Sequence, residues 1–200
     1  MTAIQKFDIP NETGLEPRLE PIERPKGLML KLAYWYSKRR VGKVITPMRV
    51  IQSRFPETLK LSRDLIKVAE KVSLSKELTS LVKIYVATLN GCAFCVDIAK
   101  AYGSGGNKPN EKYDELLRFE DSPVFNEAEK AALSYAEEIT LTKQASNDTF
   151  ERLRNYFTGR EIVEITWLVA SEHYYNLMNR PLNIGSDELC ALMTDQMDRK

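Results

Sequence analysis

Two thiols one helical turn apart, in Cys92-Ala-Phe-Cys95, follow directly on an Asn90-Gly91 break and define the chemistry this chain offers. The apolar run from Leu78 to Leu89 reads as a helix, Asn90-Gly91 interrupts it, and Cys92 to Tyr102 reads as a new helix. Both cysteines then fall in a first turn, where unpaired backbone N–H groups and the helix dipole favour an anion. A thiolate in such a place has a lowered pKa, and the thiolate is the nucleophile. Two cysteines three apart on a helix can also close into a disulfide, so the pair is expected to be a redox dithiol. Two other readings compete. Zinc needs four ligands, and beyond the pair the chain offers Cys190 and one histidine, His173. Alternatively, the cysteines are small apolar residues packed at helical spacing. Cys190 stands alone and is expected to be a core thiol. With three cysteines and no signal-peptide pattern, a reduced, cytoplasmic protein is expected.

The elements that must position these thiols are helical almost throughout. Two hundred residues with 43% hydrophobic content suffice for one domain with a real core. A net charge of +1 gives no electrostatic reason to expect nucleic acid or an anionic membrane as partner. No apolar run approaches the ~20 residues of a membrane span. Residues 1–25 carry four prolines among charged residues and read as an extended arm, wrapping a neighbouring subunit or partly disordered; residues 26–200 read as the folded domain. Leu28 to Arg40 is amphipathic and aromatic-rich, ending in the basic patch Lys38-Arg39-Arg40, which reads as a solvated helix end. Thr46-Pro47 marks a helix start, and Pro56 to Val72 a further helix. After a glycine-rich loop, Gly103 to Pro109, the helical pattern resumes at Tyr113 to Phe119. Capping-box patterns at Asn126-x-x-Glu129 and Thr158-x-x-Glu161 open helices to about Leu141 and Asn179, with Asp148 to Phe157 between them. Asp187 to the C-terminus reads as a last helix. The fold class is all-α.

On a wheel at ~100° per residue, Leu78, Leu81, Val82, Tyr85 and Leu89 share a face, with Ile84 and Ala87 opposite. The helix before the cysteines is therefore expected to be buried on two sides. On the long helix, Glu161, Glu164 and Glu172 form a polar face, and Ile162, Ile165, Val169 and Leu177 an apolar one. His173 lands in that apolar stripe, either as a satisfied core residue or as a catalytic candidate. Tyr102 lies ~20° from Cys95 on its helix and is a further candidate, whereas Asp97 points away, to solvent or a neighbour.

The stretch Leu81-Val-Lys-Ile-Tyr-Val-Ala-Thr-Leu-Asn-Gly-Cys-Ala-Phe-Cys95 resembles the core of the alkylhydroperoxidase D-like (AhpD-like) proteins of the carboxymuconolactone decarboxylase superfamily. Trp167 to Arg180, ending Asn176-Leu-Met-Asn179-Arg180, also resembles that superfamily's second characteristic helix. The resemblance implies a helical domain assembled into trimers or hexamers and a dithiol peroxidase chemistry without cofactor or metal. In it Cys95 attacks a peroxide and Cys92 resolves the sulfenic acid, with an external thiol as reductant. The family's proton relay also has a glutamate twelve residues before the first cysteine and a histidine four after the second. Here those positions hold Ser80 and Ala99. Losing positioned acid–base help lowers a rate on the order of a hundred- to ten-thousand-fold, whereas disulfide exchange depends mainly on thiolate fraction and access. A weakened peroxidase acting on peroxide or a disulfide is expected, with His173, Glu172, Lys83, Tyr85 and Tyr102 as possible substitutes for the relay. Two other functions stay open: a decarboxylase-like pocket around His173 and Glu172 acting on a small carbon acid, and a non-catalytic helical oligomer.

Overall fold

The computed structural model describes residues 15–103 and 110–192, and among them there is no strand. The helices run in order as α1 (Leu28–Val41), α2 (Glu57–Ala69), α3 (Lys76–Leu89), α4 (Ala93–Gly103), α5 (Glu111–Glu115), α6 (Glu127–Thr142), α7 (Asn147–Arg154) and α8 (Gly159–Asn179). A single π-helical turn, Met48–Gln52, precedes α2, and short 3-10 turns follow α5 and α8. The fold is all-α.

Local chemistry sets the helix starts. Ser75 accepts from the Leu78 N–H to cap α3, and both expected capping boxes form, at Asn126/Glu129 and Thr158/Glu161. Thr46 behaves differently. Its N–H and hydroxyl both donate to the Asp187 carboxylate, at 2.6 and 2.7 Å, so a carboxylate remote in sequence, not Thr46 itself, holds this helix start.

Helix α3 is the spine, with Leu81, Val82, Val86 and Ala87 fully buried. One of its faces meets α6 and α8 through Ala132, Ile165 and Leu168. Another meets Phe119, Phe125 and Leu133. Burial on two sides is thus observed. Helix α4 folds back along α3, and its thiols pack with Val41, Val50, Ile51, Ile184 and Leu189.

Several sequence expectations change in the folded chain. The described part of the N-terminal arm lies on its own chain. Arg18 N–H donates to Leu182 O, Ile22 N–H to Arg49 O, and Tyr34 Oη to Ile22 O; residues 1–14 lie outside the described residues. Helix α1 buries Leu30, Tyr34 and Val41 but leaves Leu28, Met29, Leu32, Trp35 and Tyr36 exposed, so it is apolar on two faces. On α8, Ile162, Ile165 and Val169 are buried as expected, whereas Glu164 and Glu172 are also buried and Leu177 is exposed. Cys190 is exposed, not a core thiol. Of the expected C-terminal helix, residues 189–192 are described and helical.

Candidate active site

The α3–α4 junction places the thiols. Asn90 ends α3 in right-handed conformation, and Gly91 takes φ 64°, a left-handed value that glycine adopts at little cost. The Cys92 N–H donates to Ala87 O at 2.8 Å and its own carbonyl accepts from Val96 N–H. Cys92 therefore stands immediately before α4, and Cys95 is the third residue within it. The Cα atoms are 5.2 Å apart and the two sulfurs stand at disulfide distance. Both residues are buried, Cys92 at 1% and Cys95 at 3% exposure, so an oxidant that reaches them must be small or must wait for the chain to open.

The C-terminal end of α8 packs over this junction. Asn179 Nδ2 donates to Cys95 Sγ at 3.4 Å. One turn back, Asn176 uses both ends of its amide: Oδ1 accepts from Asn90 Nδ2 at 2.7 Å, and Nδ2 donates to Glu172 Oε1 at 2.9 Å. Glu172 is buried, and desolvation pushes its pKa up to about 7 against the opposing pull of Lys83 and the Asn176 bond. Arg180 Nη1 donates to Asn90 O at 2.5 Å. A Cβ on Gly91 would lie 2.5 Å from that same Nη1, so glycine is needed here for space as well as for φ. Farther along α4, Asp97 accepts from Ser186 Oγ and from the Leu189 and Cys190 N–H groups at 2.8–2.9 Å. It is buried and pins the 186–190 segment beside the thiols.

The other candidates fall elsewhere. His173 is half-buried with Nε2 unpartnered, and burial together with the Lys143 charge at the end of α6 lowers its pKa. It is ~100° around α8 from Glu172. Tyr102 is half-exposed two turns along α4 from Cys95; burial raises its pKa, opposed by a hydrogen bond from Arg40 of α1. Tyr85 is buried edge-on to Phe119, and desolvation and Glu137 raise its pKa. At the relay positions, Ser80 Oγ donates to Lys76 O beside Gly103 and the Tyr113 hydroxyl. Ala99 packs in the apolar cluster of Tyr85, Phe119 and Tyr113.

Sequence reasoning named Asn90 only as a helix break and Asn176 and Asn179 only as a helix ending, and gave none of them a part in the site. The signal that could have found the two on α8 is the spacing of Glu172, Asn176 and Asn179, four and three residues apart, which places three polar side chains on one stripe. No group of three or more histidine, cysteine, aspartate or glutamate residues suited to a metal occurs among the described residues. Nor is any helix there long and apolar enough to cross a membrane.

Comparison with known proteins agrees with this geometry. Residues 56–138 match the carboxymuconolactone decarboxylase family. The uncharacterized protein YnjA of Escherichia coli is 27% identical over 168 residues, covering 82% of this chain and 92% of YnjA. Among solved structures, ATU0492 of Agrobacterium tumefaciens is a protein of unknown function described as a candidate antioxidant defence protein AhpD. It superposes with a TM-score of 0.64 at 26% identity, covering 69% of this chain and 97% of its own. The debrominase Bmp8 shares the fold at 18% identity, with a TM-score of 0.72 and coverage of 88% and 96%. By the sequence match over residues 56–138 and by fold, the chain is similar to the AhpD-like proteins of the carboxymuconolactone decarboxylase superfamily.

Proposed function

We propose that the protein is a thiol-dependent oxidoreductase that reduces hydroperoxides slowly through Cys95 and Cys92. One observation carries this reading: the two sulfurs stand at disulfide distance at the start of α4, with an amide donor on Cys95 Sγ. The helix N-terminus contributes ~0.3–1 kcal/mol to a thiolate there, and up to ~2 when partly buried. In the reaction, Cys95 thiolate attacks a peroxide oxygen, the O–O bond breaks, and Cys95 becomes a sulfenic acid while the leaving alkoxide takes a proton from water. The Cys92 thiol then displaces water to form the disulfide, and an external dithiol restores both thiols.

Ser80 and Ala99 supply neither an acid nor a base, and the dipole contributes less than a positioned base typically does. Slow turnover follows. The decarboxylase-like reading needs Glu172 and His173 to converge on one pocket. Instead Glu172 engages Asn176 while the charge that acts on His173 is that of Lys143, which favours the dithiol. The same reading includes a homo-oligomer, trimeric or hexameric, supported by the apolar side chains that α1 leaves uncovered, and a cytoplasmic setting where dithiols stay reduced.

The test is peroxide consumption by the pre-reduced full chain with dithiothreitol as reductant. Slow catalytic turnover that Cys95→Ser abolishes is expected. Turnover that persists in Cys95→Ser would overturn the assignment.

A further inference from the structure

We propose that the side-chain amide of Asn179 is the group that handles a hydroperoxide at Cys95. Its Nδ2 holds the sulfur as thiolate and its Oδ1 accepts the peroxide O–H. The proposal rests on the dithiol reading above and names the substrate-recognising residue of that same site.

The two asparagines of α8 that face the dithiol junction differ in one respect. Asn176 has both amide ends paired. Asn179, at 3% exposure, donates through Nδ2 to Cys95 Sγ, while its Oδ1 is buried without a partner. A buried acceptor without a partner costs free energy that the fold recovers only when a donor arrives. That acceptor sits on the same carbon as the group that touches the nucleophile. A ligand suited to both atoms of this amide is a small molecule carrying an O–H or N–H donor beside an atom that sulfur can attack. A hydroperoxide fits both requirements. With its O–H on Asn179 Oδ1, the terminal oxygen lies between the amide and Cys95 Sγ. The S–O bond forms as the O–O bond breaks, sulfur is oxidised to sulfenic acid, and the peroxide is reduced to alkoxide, protonated by water. A disulfide carries no such donor, so the amide also separates the two possible oxidants. The main chain keeps Asn179 in place, since its carbonyl accepts from Ile184 N–H at 3.2 Å.

The donor and acceptor halves can be read separately. In the full chain carrying Cys92→Ala and Cys190→Ser, Cys95 is the one remaining thiol. Its reaction with methyl methanethiosulfonate, which has no hydrogen-bond donor, reports thiolate fraction and access. Its initial gain of one oxygen from hydrogen peroxide, read by intact mass, reports thiolate fraction, access and peroxide handling. Asn179→Leu, similar in volume and without polar atoms, is expected to slow the thiosulfonate reaction about fivefold at neutral pH and the peroxide reaction about fifty-fold or more. Asn179→Asp keeps an acceptor and loses the donor. It is expected to slow both reactions while keeping their ratio within about threefold of the parent.

An unchanged ratio in Asn179→Leu, or an equal loss of ratio in Asn179→Asp, overturns the acceptor half. An unchanged thiosulfonate rate in both variants overturns the donor half. If Asn179→Leu does not fold, Asn179→Ala replaces it in the ratio measurement. A parent that reacts with the thiosulfonate but not with peroxide overturns the peroxide reading and the acceptor half together. A parent inert to both overturns the dithiol reading itself.

Discussion

At the scale of single residues, the junction is a chain of amides with one carboxyl group at its end. Glu172 is held mostly neutral below pH 7 because burial penalises its charge. Its folded pKa, about 7, lies above the ordinary 4.5. The folded state therefore binds more protons than the unfolded state in between, and stability falls as pH rises from about 4.5 through 7. Glu172→Gln mimics the neutral acid and keeps the acceptor for Asn176. It is expected to raise Tm at about pH 8 by at least 2–4 °C, with the gain shrinking towards about pH 5, as thermal melts across that range would show. An equal or larger gain at the acid end would contradict the assignment. The dithiol itself was legible in the sequence, because Cys-x-x-Cys after Asn-Gly has few other uses. The asparagines were not, because a wheel ranks side chains by polarity and sends polar ones to solvent. Glu164 shows why that fails: it is buried, accepting from Ser73 N–H and Oγ at 2.8 Å and from Arg160 Nε.

The elements around the site depend on one turn. Gly91 is required both for its positive φ and for the guanidinium of Arg180 lying against it. A non-glycine residue in this conformation costs roughly 1–2 kcal/mol. Gly91→Ala must also push Arg180 off the Asn90 carbonyl. Denaturant unfolding should show Gly91→Ala destabilised by about 2–3 kcal/mol. In the Arg180→Ala background the same change should cost about 1 kcal/mol less, since the steric part has gone. Fully additive losses would mean that the two residues do not share the space. Helix existence was readable because caps and periodicity are local: Asn126 and Thr158 both cap as their spacing implies. What was not readable came from distance. Thr46 is bound by Asp187, and the C-terminal segment by Asp97; no local pattern encodes either pairing.

For the molecule as a whole, large apolar side chains stay exposed among the described residues. Trp35 and Tyr36 are 62% and 61% exposed on α1, and α2 leaves Leu61, Ile66 and Val68 exposed while burying only Thr58. Large uncovered apolar groups of this kind mark interaction surfaces, and aromatic residues dominate their energetics. Light scattering at micromolar concentration is expected to give a multiple of 22.9 kDa, and Leu32→Glu with Trp35→Glu to shift it towards the single-chain mass. A single-chain mass for the unmodified protein would rule the oligomer out. The resemblance to a helical dithiol family was readable from one motif of fifteen residues. Which faces of α1 and α2 stay uncovered was not, because one chain's sequence does not separate an apolar face that packs inward from one that stays exposed.

The central claim is that Cys92 and Cys95 form a working redox pair, and intact mass with peptide mapping after reduction and mild peroxide treatment tests it most directly. The account predicts loss of two hydrogens, confined to the peptide containing both cysteines and reversed by dithiothreitol, with Cys190 still taking up an alkylating reagent. A chain that keeps three titratable thiols under those conditions, or that forms its bond through Cys190, would contradict it.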